Sequence, residues 1–206
     1  ELRTRLEGFT RVLMEGKNFE ACGGFPKITE EVRCLICAQA ALLLLNLPNH
    51  RFYPLLKSIL VYPGAFQDRG RRRFGLHEEE RGTLLGESWD TGSVILSWDS
   101  VVAGARNEDD GINVTIHEFA HQLDQANGTD GVPLLHSREA YRRWAEVFET
   151  HYDELVEDVE DGDDSLIDPY GATNPAEFFA VASETFFEES VDLREEHPKL
   201  YGALRD

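Results

Sequence analysis

The sequence predicts an α+β protein that is mostly helical, with a small β-sheet and an N-terminal helical lobe. Three observations support this fold class. Apolar residues recur with a helical period over residues 1–47, a short apolar run at Val94–Trp98 is typical of a strand, and helical patterns return after residue 113. The chain has 206 residues, of which 41% are apolar, enough for one substantial core. We expect a helical lobe at residues 1–55 and a larger domain at residues 56–206.

The N-terminal lobe is predicted to contain two helices. Apolar residues spaced for one helix face occur at Leu2, Leu6, Phe9, Val12 and Leu13. A break at residues 23–26, Gly-Gly-Phe-Pro, separates this helix from a second one, which opens at Thr29-Glu30-Glu31 and ends before Pro48. The second helix is apolar on nearly all sides, so we expect it to be buried.

The chain has three cysteines, Cys22, Cys34 and Cys37, and an odd number cannot form a closed disulfide framework. Cys34 and Cys37 lie three residues apart within the apolar helix, where we expect both thiols to face the core rather than to form a zinc or redox pair. This cysteine usage favours a reducing, cytoplasmic compartment.

Two strands are predicted after the helical lobe. Ile59–Tyr62 precedes a Pro-Gly turn, and Val94–Trp98 is bounded by Gly92 and Asp99. The region between them carries four arginines, at positions 69 and 71–73, which we interpret as a solvated loop rather than an anion site. Further helices are predicted near Asn113, over residues 137–157, and from Pro175 into the 180s.

The charge balance excludes several classes of partner. The chain has 20 Lys and Arg against 39 Asp and Glu, a net charge of −19, which disfavours binding to nucleic acid or to an anionic membrane surface.

The longest apolar run, Cys34–Leu45, is shorter than the ~20 residues that span a bilayer. The first residues show no apolar signal-peptide region, so we expect a cytoplasmic protein. Eight of the twelve residues at 153–164 are acidic, which predicts a mobile surface segment.

The sequence His117-Glu118-Phe119-Ala120-His121 carries the strongest chemical signal. Residues i and i+4 of a helix lie on one face, so the two imidazoles can bind one zinc ion while Glu118 lies beside it and can accept a proton from water. Asp124 follows one turn later, where it would either orient a ligand or cap the helix.

A catalytic zinc needs a third protein ligand and one open position. The three-histidine extension of this motif is excluded, because Asn127 stands where its third histidine would be. Two carboxylates, Glu177 and Glu184, share a face of the helix after Pro175, and either could be the ligand. Glu177 could instead complete a capping box with Asn174, and Glu184 could instead accept a hydrogen bond from a ligand imidazole. Other imidazoles that lack a supporting local pattern are His136, His151 and His197.

A resemblance to a known family rests on these same segments. Thr115–Asp124 (TIHEFAHQLD), the preceding GSVILSWDSVVAGARNEDDGINV and the later NPAEFFAVASETFF resemble the Mlc titration factor A family of zinc metallopeptidases. The upstream AQAALLLLNL and VYPGAF stretches are also similar, so the likeness covers most of residues 30–190. The segment PYGATNPAEFFA is similar to the catalytic domain of anthrax lethal factor, another two-His-one-Glu peptidase.

The resemblance implies a role for five residues. His117, His121 and Glu177 match zinc ligands, Glu118 matches the general base, and Tyr170 matches a tyrosine whose hydroxyl faces the metal. It further implies a zincin-type domain with one zinc ion, a peptide substrate and aminopeptidase activity. The alternative that it implies is a regulatory protein that sequesters a transcriptional repressor, Mlc, with zinc in a structural role. From the residues alone, the strand at residues 94–98 could hold an extended peptide by edge pairing, lie within the core, or do both.

Overall fold

The computed structural model describes residues 1–47, 51–64, 86–89, 92–107, 109–128 and 130–205. The helices among them are α1 (Leu2–Gly16), α2 (Glu30–Leu42), α3 (Trp98–Arg106), α4 (Val114–Gln125), α5 (Arg138–Asp161), α6 (Pro175–Glu188), α7 (Ser190–Glu196) and α8 (Pro198–Arg205), with a 3₁₀ helix at Pro169–Thr173. The strands are β1 (Asn18–Ala21), β2 (Ser58–Tyr62), β3 (Gly86–Trp89) and β4 (Ser93–Ser97). This mostly helical chain with a small sheet confirms the predicted α+β class. The arginine cluster at residues 69–73 lies outside the described residues.

The two N-terminal helices form where the sequence predicts them. Thr29 caps α2, since its hydroxyl accepts a hydrogen bond from the backbone N–H of Val32 at 3.3 Å. Ile36 and Cys37 on α2 are fully buried. The prediction for Cys34 is wrong, because its side chain is exposed. A spacing of three residues turns a helix by about 300°, enough to put Cys34 at the margin of the buried face.

The sheet has four strands in the order β1-β2-β4-β3, with β1, β2 and β4 parallel and β3 antiparallel to β4. β1 was not expected from the sequence, because a four-residue strand whose apolar side chains are Phe19 and the small Ala21 is too short for its alternation to be recognised. β4 lies between β2 and β3, so it is a core strand and the idea that it pairs with a peptide is wrong. It ends at Ser97, which caps α3; Trp98 is helical rather than the last residue of the strand.

The N-terminal helices and the rest of the chain share one core. A single cluster of buried apolar side chains extends from Leu13 in α1 to Leu200 in α8. β1 also pairs with β2 across the predicted boundary at residue 55. That boundary therefore stays a prediction, and the described residues on its two sides are joined by both sheet and core.

The acidic segment at residues 153–164 corrects a second expectation. It is not a mobile segment: α5 continues through it to Asp161 and ends at Gly162, whose φ of 76° is the left-handed geometry that favours glycine. Leu155 explains the difference, because its side chain is buried and holds these turns against the core while the carboxylates face outward.

Two helices and the 3₁₀ helix position the candidate site. α4 packs against α6, and the 3₁₀ helix packs against both α5 and α6. Phe119 on α4 and Phe178 on α6 are buried at 0–1% exposure, so both helices are fixed on their inner faces. Within the described part of the chain, no helix combines the length and the apolar character needed to cross a bilayer.

Candidate metal centre

The first two residues of the site lie on one face of α4. Asn113 begins this helix: its side-chain oxygen accepts hydrogen bonds from the N–H groups of Thr115 and Ile116, both at 3.1 Å. His117 and His121 then follow one turn apart, with ring centroids 4.8 Å apart and ring planes at 79°. The predicted HExxH helix therefore brings the two imidazoles together.

The third residue, Glu177, lies in the first turn of α6. Asn174 caps this helix by accepting hydrogen bonds from the N–H groups of Ala176 and Glu177, both at 3.0 Å, and Pro175 occupies its first turn. The Asn174 side chain therefore caps α6 as it would in a capping box. The Glu177 carboxylate, however, is directed at the imidazoles of α4.

The three side chains converge on one point. Nε2 of His117 and Nε2 of His121 are 3.2 Å apart, and Oε2 of Glu177 is 3.1 Å from the first and 3.3 Å from the second. Tetrahedral zinc with bonds of about 2.0–2.1 Å separates its ligand atoms by about 3.3 Å. Two imidazole nitrogens and one carboxylate oxygen at these distances are a donor set that fits a zinc ion.

In the metal-free site, the pKa values of His117 and Glu177 are shifted strongly in opposite directions. Burial lowers the pKa of His117, but hydrogen bonds with Glu177 and Glu184 outweigh it and raise the pKa to about 10. Burial raises the pKa of Glu177, and His117 and His121 more than compensate, lowering it to about 2. The site thus holds a positive charge on an imidazole beside a carboxylate, a charge that a divalent cation could replace.

Glu184 lies behind His117 rather than in front of it. Its Oε1 is 2.7 Å from Nδ1 of His117, and its Oε2 accepts a hydrogen bond from the backbone N–H of Asn113 at 2.6 Å. A proton on Nδ1 leaves the lone pair of Nε2 directed at His121 and Glu177. The residues alone left open which of the two carboxylates joins the imidazoles as the third candidate ligand. In the structure, Glu177 faces both imidazoles, and Glu184 orients one of them.

Asn113 and Glu188 complete this support, and sequence reasoning missed both roles. The amide of Asn113 donates hydrogen bonds to Oε1 of Glu188 at 2.9 Å and to the carbonyl of Gly104 at 3.3 Å. Asn113 thus connects the start of α4 to α3 and α6. An asparagine before a helical pattern signals a cap, but no sequence signal indicates contacts with residues more than seventy positions away.

Glu118 and Tyr170 border the same point. Glu118 follows His117 on α4 and is 5% exposed. Tyr170, on the 3₁₀ helix, has its ring 6.1 Å from that of His117 and remains half-exposed. Burial, together with the charges of Glu177 and Glu118, raises the pKa of Tyr170 to about 12, so its hydroxyl keeps its proton and can donate a hydrogen bond.

Asp124 has a third role that neither sequence alternative described. Its Oδ1 accepts hydrogen bonds from three successive N–H groups of the loop after α4, those of Asp130, Gly131 and Val132, at 2.8–3.1 Å. Gly131 in turn packs against the Pro175 carbonyl, where a Cβ would clash. Asp124 therefore fixes a loop that supports the start of α6.

The other candidate histidines lie elsewhere. His136 is exposed, and His151 and His197 face one another with ring centroids 5.5 Å apart. None of the three belongs to the group of atoms formed by His117, His121 and Glu177.

Comparison with known proteins places this site in a family context. Residues 1–206 match the family described as "Glucose-regulated metallo-peptidase M90". The chain is 45% identical over 207 residues to "Uncharacterized protein slr2042" of Synechocystis sp., covering 98% of this chain and 74% of that protein. It is 36% identical over 149 residues to "Mlc titration factor A" of Pectobacterium atrosepticum, covering 69% of this chain and 55% of that protein.

A second Mlc titration factor A, from Escherichia fergusonii, is 39% identical over 139 residues, covering 63% of this chain and 50% of its own length. The match therefore spans about half the length of the curated relatives of that name. These relatives confirm the resemblance to Mlc titration factor A that the sequence motifs predict. Since the family match covers the whole chain, the protein belongs to the glucose-regulated metallo-peptidase M90 family.

Proposed function

We propose that this metallopeptidase-family chain is a zinc-dependent aminopeptidase with one zinc ion held by His117, His121 and Glu177. The observation that carries the proposal is the spacing of the three ligand atoms, 3.1–3.3 Å, which is the edge length of a tetrahedral zinc site. A structural zinc would need a fourth protein ligand, and within the described residues the group of potential ligands at this point contains only these three.

Glu118 acts as general base and then general acid in this proposal. A bound zinc ion would polarise the scissile carbonyl and lower the pKa of the attacking water toward ~7. Glu118 accepts the proton of that water and delivers it to the leaving amine, a contribution of about 10²–10⁴ in rate. Burial of its carboxylate beside His117 supports this assignment, because few bulk waters compete for the proton.

Tyr170 donates a hydrogen bond to the oxyanion that develops on the scissile carbonyl. Its raised pKa keeps the donor proton in place, and its half-exposed ring lies near that of His117. An extended peptide can approach along β3, the edge strand of the described sheet next to α4, by adding backbone hydrogen bonds. The acidic chain favours substrates with a cationic amino terminus.

The deciding experiment compares two glutamates of the site. Glu118→Gln is expected to bind one zinc ion and to lose hydrolysis, because the amide cannot accept the proton. Glu177→Gln is expected to lose zinc as well. Metal content by mass spectrometry and cleavage of peptides measure the two properties separately. Full activity in Glu118→Gln would disprove the general-base assignment, and full zinc content in Glu177→Gln would disprove the ligand assignment.

The substrate class needs its own comparison. Amino-acid amides and internally quenched peptides with blocked termini separate aminopeptidase from endopeptidase activity. We expect hydrolysis of the former and little of the latter. The reverse preference would be consistent with a metallopeptidase but would contradict the proposed aminopeptidase specificity.

A regulatory function is the second candidate, and the name of the relatives favours it. The relatives from Pectobacterium atrosepticum and Escherichia fergusonii are both called Mlc titration factor A, a name that describes proteins that titrate Mlc. This chain would then bind a transcriptional repressor, with hydrolysis incidental. Binding of an Mlc-type repressor by the hydrolytically inactive Glu118→Gln variant, measured by light scattering, would support this candidate, and absence of binding would remove it.

The proposed compartment is the cytoplasm. Cys22, Cys34 and Cys37 are all free thiols, as expected of a chain kept in a reducing environment.

A further inference from the structure

A second cluster of potential metal ligands lies outside the candidate metal centre. His151 and Glu154 on α5 meet His197, at the junction of α7 and α8. One ligand atom from each side chain lies within 4.8 Å of the other two. The imidazole rings of His151 and His197 are 5.5 Å apart and inclined at 60°.

His151 is held in the form that binds metals. It is 8% exposed, and its Nδ1 lies 3.0 Å from the Val147 carbonyl, to which it can only donate a proton. The tautomer with hydrogen on Nδ1 leaves a lone pair on Nε2, the arrangement that backbone carbonyls impose on many metal-bound histidines.

The two other groups can move toward a shared ion. The Glu154 side chain is 56% exposed, and its Oε2 lies 4.0 Å from Nδ1 of His151, so a change of rotamer must carry the carboxylate to the side of the ring where Nε2 lies. Two imidazoles and one carboxylate suit zinc and the neighbouring divalent metals better than calcium or magnesium. Lys199 is a nearby positive charge that opposes a cation, whereas the carboxylates along residues 153–161 of α5 attract one.

We propose that His151, Glu154 and His197 form a second zinc site that joins α5 to the α7–α8 junction. Glu154 must change rotamer before it can share an ion, whereas the three ligand atoms of the candidate metal centre already lie 3.1–3.3 Å apart, so the second site binds zinc more weakly. A zinc ion there stabilises the packing of α7 and α8 on α5, because it adds a link between elements otherwise held by side-chain packing.

The test uses the full chain, first loaded with one equivalent of zinc and then titrated with zinc chloride by calorimetry. We expect a second binding event of one equivalent, together with slower amide hydrogen exchange in residues 190–205. His197→Gln and Glu154→Gln should each lose or greatly weaken that event while retaining the first equivalent. His136→Gln is the matched control, since this exposed histidine lies outside the cluster, and it should bind both equivalents.

Two outcomes would overturn the proposal. These are a zinc-loaded chain that takes up no second equivalent, and a second equivalent that persists undiminished in His197→Gln and Glu154→Gln. Glu154→Gln is expected to fold normally, because an exposed side chain can be replaced without disturbing the core, so its loss of the second binding event cannot be attributed to misfolding. Glu177→Gln should show the opposite pattern, losing the tight equivalent and keeping the weak one, so failure of this proposal is distinguishable from failure of the proposed function.

Discussion

The carboxylate of Glu184 lies 2.7 Å from Nδ1 of His117, on the opposite side of the imidazole from the nitrogen that faces His121 and Glu177. One imidazole is therefore held between two carboxylates of the same helix. Glu184 fixes the ring and its tautomer, while Glu177 shares the point at which a metal would bind. This division of roles leads to the first prediction.

Glu184→Gln should weaken zinc binding by about 10–100-fold without removing it, the usual effect of losing a carboxylate that supports a metal-bound histidine. The amide can still accept a hydrogen bond from Nδ1 but cannot stabilise positive charge on the ring. Competition with a chromogenic chelator measures the affinity. Glu188→Gln is the control, since Glu188 contacts the Asn113 amide, and it should lower the melting temperature more than the zinc affinity. Equal losses of zinc affinity in both variants would contradict the assignment.

Tyr170→Phe should lower kcat by about 10²–10³ and leave zinc content unchanged, because it removes one donor to the developing oxyanion. KM should change little, since the hydrogen bond forms mainly in the transition state. Steady-state kinetics on the best peptide or amide substrate provide the measurement. Tyr141→Phe is the matched control, because its hydroxyl bonds within the loop after α4, and it should retain kcat. A Tyr170→Phe variant with normal kcat would remove Tyr170 from the mechanism.

The sequence predicts the local elements of this site better than their spatial arrangement. The HExxH spacing and the cap at Asn174 are local features, and both helices form where these features indicate. Glu177 and Glu184 could not be separated from the residues alone, because a seven-residue spacing puts both on one face, about 10.5 Å apart along the helix axis. Only the crossing of α6 over α4 decides which carboxylate meets which nitrogen of His117.

The fold shows the same limit. α5 and α6 have periodic apolar residues and clear caps, so their positions follow from local pattern. β1 depends on hydrogen bonds to β2, forty residues away, and has no pattern of its own. α7 was missed because it has seven residues and one buried anchor, Leu193, too few to show a helical period.

Zinc binding should strengthen as the pH rises. In the metal-free chain the pKa of His117 is raised from 6.5 to about 10, so its proton stabilises the fold below pH 6.5 and this contribution is lost as the pH approaches 10. Zinc must displace that proton, so its apparent affinity should rise by up to about tenfold per pH unit over this range. The pKa of Glu177, lowered from 4.5 to about 2, adds stability above pH 4.5 that is lost as the pH falls toward 2.

Melting temperatures with and without zinc test this sign. The stabilisation on adding zinc should grow from about pH 6 to about pH 9, while the metal-free protein becomes less stable over the same interval. His136→Gln should show the same dependence, because His136 is exposed and outside the site. A zinc stabilisation that stays constant across this range would contradict a protonated His117 in the metal-free protein.

The last prediction concerns the loop that Asp124 holds. Asp124→Ala removes the acceptor of three backbone N–H groups at 2.8–3.1 Å, and Asp124 itself is buried, so water would replace that acceptor poorly. Loss of one buried partner costs about 1–3 kcal/mol, and we expect a loss in the free energy of unfolding at least this large, measured by denaturant titration. Asp124→Asn keeps an oxygen in place, and because burial raises the pKa of Asp124, losing its charge should be tolerated. Asn should therefore retain most of the stability. Equal stability in the Ala and Asn variants would show that the carboxylate oxygen does not hold the loop. Asp124→Ala should also weaken zinc binding, because Gly131 in this loop packs on Pro175 at the start of α6, the helix that carries Glu177.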